Sequence, residues 1–191
     1  LRLEKNKFWF AQGDGHLYSW YKAHSKNLDV EIKDPNVWVS QIQGPKSLKL
    51  LEKLVDIPLK NNFNYFDWVE TSIDSEEVII SRTGFTNELG WEIYLRPEND
   101  SKKIGDLILS KGEEMGMILT ASPGFRCRRI EAGLLSAGRD FTRDRSPFAV
   151  GLGKFIDFNK GDFIGRDYLL NASKDCFCLL YTSDAADDRI C

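Results

Sequence analysis

Histidine is scarce in this chain, with only His16 and His24, and cysteine is limited to Cys127, Cys176, Cys178 and Cys191. Neither set has the spacing of a metal site or a disulfide framework. No nucleophile or second ligand stands at a telling distance from either histidine, so both are expected to be surface or helix-packing residues. No Ser/His/Asp or Cys/His arrangement is visible that would argue for nucleophilic catalysis. No apolar run approaches the ~18 residues of a membrane span, and no charged leader with an apolar stretch follows Leu1. The formal net charge of -3 lacks the basic excess of a nucleic-acid surface. The glycine turns at Gly13 (GDG) and Gly151 (GLG) lack the three-glycine dinucleotide fingerprint. These absences lead to an expectation of no membrane, no nucleic-acid partner and no metal. Unremarkable thiols fit a reducing cytoplasm.

What the chain does have is aromatic and aliphatic bulk, with five Trp and twelve Phe, arranged in short mixed elements. Lys7 to Ala11, Leu28 to Lys33, Val37 to Gln43, Tyr65 to Thr71, Val78 to Ser81 and Trp91 to Leu95 read as strands. Asp14 to Lys26 reads as a helix with Leu17, Trp20, Tyr21 and His24 on one face. Pro45 opens a second helix, with Leu48, Leu51, Leu54 and Val55 as its apolar stripe. Asp100 or Ser101 caps a third, carrying Ile104, Leu107, Ile108 and Met115. Pro123 to Leu134 makes a fourth. Hairpins interspersed with helices, without regular βαβ repeats, predict an α+β fold with antiparallel sheets.

The richest stretch is RTGFTNELGWEIYL, Arg82 to Leu95, followed by RRIEAGLLSAG, Arg128 to Gly138. Thr83, Gly84, Thr86, Asn87 and Gly90 are turn formers. In the strand that follows, Glu92 and Tyr94 share one face, while Trp91, Ile93 and Leu95 share the other. An acid amid an apolar strand is costly to bury without a donor. Either Glu92 pairs with Arg82 or Arg129 inside the sheet, or it serves a ligand. Arg129 and Glu131, two apart, do not share a helix face and also suit a helix-to-sheet ion pair. Tyr94 suits either a ligand ring or an ordinary core position.

These segments resemble the folate-binding aminomethyltransferase family typified by the T-protein of the glycine cleavage system. That family carries R-[TS]-G-[YF]-T-x-E-x-G-[YFW]-E-[IV], then R-[LI]-E-[AS]-G. Here IQGPKS (Ile42 to Ser47) is similar to its QGPK turn, and SPFAVGLGKFID with DFIGRDYL (Ser146 to Leu169) to its later motifs. The resemblance extends from Leu1 to about Ser173. It implies interlocked ferredoxin-like units around a folate pocket. Tetrahydrofolate is the implied cofactor, with Glu92, Tyr94, Trp91, Phe85 and Arg129 as candidate cofactor-binding residues. Glu92 would take the pterin's flat pair of N–H donors. The implied reaction moves a one-carbon unit from a small methyl or aminomethyl donor to N5 of tetrahydrofolate. Folate is then the nucleophile, and the protein supplies proximity and proton management. The family's catalytic Asp belongs to a segment that would precede Leu1, so no catalytic residue is assigned, and the fragment alone is expected to be inactive.

Departures from the pattern bear on the donor. The T-protein helix reads A-R-D-x-L-R-L-E-A-G, and its first Arg corresponds to Phe125 here; Ala149 replaces the usual Glu. With the stretches LEKNKFW, LDVEIKDP and NYFDW, this shifts the resemblance toward the dimethylsulfoniopropionate demethylase-like branch. The T-protein reaction, with its lipoyl carrier protein, is the alternative. A non-catalytic folate-binding assembly or repair protein is a rival, but its K-G-C-[YF]-x-G-Q-E motif is missing. A sheet-type RNA-binding module is another, disfavoured by charge. Finally, CLLYTSDAAD (Cys178 to Asp187) reads as translated sequencing adapter. Residues 178–191 are therefore expected to be foreign, leaving 1–177 as a partial domain without its C-terminal barrel. That tail holds Asp184, Asp187, Asp188 and Arg189, so without it the net charge moves from -3 to -1.

Overall fold

A computed structural model of the protein describes residues 1–11, 16–56, 59, 63–120 and 122–176. The Gly13 turn, the expected helix start at Asp14 and the expected foreign tail lie outside the described residues. Two compact units divide the chain, Leu1–Arg129 and Ile130–Cys191.

The first unit opens with an antiparallel hairpin, β1 (Arg2–Glu4) and β2 (Lys7–Phe8). The helix expected over 14–26 is shorter, α1 (Leu17–His24), and buries none of its residues. Its anticipated apolar face is only partly covered: Leu17 and Tyr21 are half-buried, with Tyr21 against Phe10 at 5.2 Å, while Trp20 lies tilted against His24 at 4.3 Å and remains 52% exposed. Leu28 to Lys33 is not a strand. The Leu28 N–H bonds to the Ser25 carbonyl and the Val30 N–H to the Leu28 carbonyl, local turns where a ladder was expected. Next come β3 (Trp38–Gln43), α2 (Ser47–Leu54), β4 (Trp68–Ile73), β5 (Glu76–Ser81), β6 (Gly90–Leu95), α3 (Ser101–Glu113) and α4 (Ser122–Glu131).

Four strands form one sheet in the order β3-β6-β5-β4, every neighbour antiparallel. β4 and β5 are joined by a two-residue turn. Asp74 and Ser75 have φ of 50° and 69°, the left-handed backbone that matches strand twist in tight hairpins. The expected strand start at Tyr65 moves to Trp68, because Phe66 adopts φ 70° in a turn.

One face of the sheet carries the core. Ile42, Ile73, Val78, Ile80, Trp91, Ile93 and Leu95 meet Leu50, Leu51 and Leu54 of α2 and Ile104 and Ile108 of α3. Of the expected α2 stripe, Leu51 and Leu54 are buried, joined by Leu50, while Leu48 and Val55 are only partly buried. Asp100 caps α3, accepting from the Lys103 N–H at 3.0 Å. The α+β class with antiparallel strands is the architecture observed.

The second unit is mostly turns, with one 3₁₀ turn (Gly153–Phe155) and α5 (Arg166–Asn171). Its described part is organised around Phe148, whose ring stacks on Phe158 at 6.5 Å and lies 3.6 Å below the Lys174 ammonium. Gly153 is required there, since a Cβ would come 2.5 Å from the Phe148 ring. Among the described residues no helix is long and apolar enough to cross a membrane.

Ile93 is fully buried at the centre of the core face. Ile93→Ala is expected to lower unfolding free energy by about 3 kcal/mol, from lost transfer energy plus an unfilled cavity. Urea unfolding checks this; a loss under about 1 kcal/mol would mean the core is not where the sheet puts it.

Candidate functional site

The face of the sheet opposite the core mixes polar and apolar side chains. β6 presents Glu92 and Tyr94 there, as the alternation of the strand requires. Register then decides their neighbours: Gln41 of β3 and Ser81 of β5 flank Glu92, and Val39 and Ile79 flank Tyr94. Glu92 Oε2 accepts two hydroxyl hydrogen bonds, from Thr83 at 2.5 Å and from Tyr94 at 2.8 Å. Thr83 Oγ1 is also in short contact with Ser81 Oγ, which is fully buried. Neither Arg82 nor Arg129 pairs with Glu92 among the described residues. The ion-pair alternative is therefore not what holds this acid.

The loop 82–89 lies beside these groups and is pinned by the QGPK turn. The Gly44 N–H and the Ser47 hydroxyl both donate to the Leu89 carbonyl, at 2.8 and 3.1 Å. Thr86 donates its hydroxyl to Gln43 Oε1. Gly84 and Gly90 leave room for this packing. A Cβ on Gly84 would meet the Gln41 and Gln43 amide nitrogens at 2.9 and 3.2 Å, and one on Gly90 would press on Gln43 Cγ at 3.0 Å. The Nε2 atoms of Gln41 and Gln43 are buried with no hydrogen-bond partner among the described residues, a costly arrangement for a donor. At the far side, Trp9 lies edge-on to Tyr94 at 5.8 Å, and the Trp68 indole donates to the Arg2 carbonyl at 2.9 Å. The N-terminal hairpin is thereby tied to the same face.

The five sequence candidates are not all gathered here. Glu92 and Tyr94 share the face opposite the core. Phe85 projects from the adjoining loop and is 43% exposed. Trp91 is a correction: it points to the opposite face, is 2% exposed, and packs on Phe63 at 5.4 Å and beneath the Arg82 guanidinium at 5.7 Å. The alternation that aims Glu92 outward buries Trp91, so it supports the strand from the core and does not face a ligand. Arg129 is 5% exposed on α4 and has interactions of its own, none with Glu92. Sequence reasoning missed Gln41, Ser81 and Thr83. Thr83 was read as a turn former; its spacing of two from Ser81, entering from a strand, was the available signal.

Burial pushes the Tyr94 phenol up to about 12, helped by the negative charge of Glu92 alongside. In the unfolded chain a tyrosine ionises near pH 10. A proton kept in the fold but lost in the unfolded chain contributes stability that is complete below pH 10. That contribution falls away as pH rises through about 12. A spectrophotometric titration of the six tyrosines is expected to show a late tyrosinate component that Tyr94→Phe removes. Its absence from the wild type would contradict the buried Tyr94–Glu92 pairing.

Residues 1–160 match the family model described as the GCVT N-terminal domain. An aminomethyltransferase of Thermotoga neapolitana is 35% identical over 155 residues, covering 80% of this chain and 42% of that protein. One from Caldanaerobacter subterraneus subsp. tengcongensis is 36% identical over 156 residues, with 80% and 41% covered. The crystal structure of glycine cleavage system aminomethyltransferase T from Bartonella henselae shares the fold, with a TM-score of 0.69 at 21% identity over 80% of this chain and 41% of that one. The chain spans about two fifths of the length of these relatives. On the match over residues 1–160, the chain belongs to the GCVT N-terminal domain family.

Proposed function

We propose that this chain carries the pterin-holding wall of a tetrahydrofolate-dependent one-carbon transferase of the aminomethyltransferase kind. The observation that carries the reading is Glu92, an acid on the face of the sheet opposite the core, with Oε2 filled by two hydroxyls and Oε1 without a hydrogen bond among the described residues. A carboxylate has about four acceptor sites, so Oε1 keeps two for a ligand. The neighbouring Gln41 amide has a donor without a partner. A pterin edge offers an amino group and a ring N–H beside a carbonyl, donors and an acceptor that complement this pair. The residues present therefore fit the cofactor.

When bound, tetrahydrofolate supplies the N5 that takes up the one-carbon unit. The chain's own part is to bind and orient. Glu92 would fix the pterin edge, Phe85 would offer an exposed ring for stacking, and Tyr94 with Trp9 would exclude water along one side. Arg129 remains a candidate cation for the anionic end of the cofactor. The donor would be a small methylated or aminomethylated molecule. Two departures, Phe125 in place of an arginine and Ala149 in place of an acid, favour a demethylase-like donor such as a sulfonium over an aminomethyl-lipoyl carrier. Only the aminomethyl alternative requires a lipoyl protein as partner. The exposed thiol of Cys127 suits a cytoplasmic setting.

Glu92→Ala is expected to abolish binding of 5-formyltetrahydrofolate, an air-stable cofactor analogue, in isothermal titration. Unchanged affinity would sink the pterin assignment. Arg143→Ala, in the second unit, serves as the control expected to bind as the wild type does.

A further inference from the structure

Glu92 is held by more than its own strand. A carboxylate oxygen only accepts, so the bond between Thr83 and Glu92 uses the single proton of the Thr83 hydroxyl. Any hydrogen bond between Ser81 and Thr83 then uses the proton of Ser81. With Thr83 committed to Glu92, the Ser81 hydroxyl supplies the proton to Thr83 or to the adjacent Tyr94 oxygen, and Tyr94 donates to the same Oε2 from the other side. Ser81 sits on β5 directly opposite Glu92 and is fully buried, while Thr83 lies two residues on at the start of the loop. Two donors from two different segments grip one oxygen. Tyr94 alone, two residues along the same strand, would leave the carboxylate free to swing with its own side chain.

We propose that Ser81 and Thr83 form a positioning relay that, with Tyr94, holds Glu92 in one rotamer, turning Oε2 into the sheet and presenting Oε1 to a ligand's N–H groups. Thr83 touches no ligand in this arrangement; it acts through Glu92. The relay is a property of the free protein. Its consequence for binding rests on the folate reading above.

The test uses the full chain as wild type, Thr83→Val, which keeps the shape and removes the hydroxyl, and Thr83→Ser, which keeps the hydroxyl. Circular dichroism confirms that each is folded. In the free proteins, three-bond side-chain couplings at Glu92 are expected to report one rotamer in the wild type and Thr83→Ser, and averaging in Thr83→Val. One rotamer in all three overturns the relay, and so does equal averaging in all three. In the second arm, affinity for 5-formyltetrahydrofolate is expected to fall about tenfold in Thr83→Val and to stay within about threefold of wild type in Thr83→Ser. Averaging at Glu92 with unchanged affinity overturns the claim that the relay serves ligand binding. If the wild type does not bind the analogue, the folate reading fails, and the coupling data alone decide the relay.

Discussion

The register of β6 between β3 and β5 sets both faces of the sheet at once. Its residues alternate between a closed apolar core and the opposite face, with Trp91, Ile93 and Leu95 on one side and Glu92 and Tyr94 on the other. Side chains repeat every two residues, so a slip of one position would exchange the faces. Glu92 would enter the core among Leu51, Ile80 and Ile104, while Ile93 would be stranded on the opposite face. Burying an unpaired carboxylate costs several times what a lost methyl contact does, and the two penalties act in the same direction. The sheet therefore places the acid without help from a ligand. That is the condition for a preorganised site, because none of the binding energy is then spent on choosing the strand pairing.

Two sequence motifs about forty residues apart behave as one structural piece around that strand. The QGPK turn exists because Gly44 adopts φ 109°, which directs its N–H to Leu89. Ser47 adds a second bond to the same carbonyl, and Gln43 takes the Thr86 hydroxyl. The loop that carries Thr83 is thus clamped at its C-terminal end by the turn. At its start, Arg82 donates to the Gly90 carbonyl at 3.2 Å and spans Tyr65 and Trp91 with its guanidinium. A loop rich in glycine, threonine and asparagine would otherwise be mobile. Here both ends are bonded to the sheet, and the Thr83 hydroxyl keeps a defined direction.

Much of this was legible in the sequence, for physical reasons. Period-two alternation in Trp91 to Leu95 placed Glu92 and Tyr94 on one face, and Asp100 announced the start of α3. The same alternation argued against Trp91 as a ligand residue, yet its place inside the motif made it a candidate. Motif membership and side-chain direction are separate properties, and direction decided. Leu28 to Lys33 carries strand-forming residues but found no partner strand among the described residues, since pairing is a tertiary outcome that propensity does not contain. The order β3-β6-β5-β4 was likewise unreadable, because local pattern does not say which strands become neighbours. Thr83 was hidden for a subtler reason. A threonine in a turn satisfies turn chemistry fully, and its second role follows only from knowing that Ser81 and Glu92 are opposite one another.

The hydroxyls already bonded to Glu92 limit how it could receive a ligand's N–H donors. A free carboxylate would take two adjacent N–H donors symmetrically, one on each oxygen. With Oε2 already accepting from Thr83 and Tyr94, that symmetric fork is closed unless a hydroxyl is displaced. Displacing Thr83 would leave its hydroxyl and that of Ser81 competing for new partners in a buried place, which is costly. Displacing Tyr94 would strand a phenol that is 3% exposed. If a ring binds as proposed, both of its donors would be better accommodated at Oε1 than at Oε2. A site built this way discriminates by direction as well as by charge.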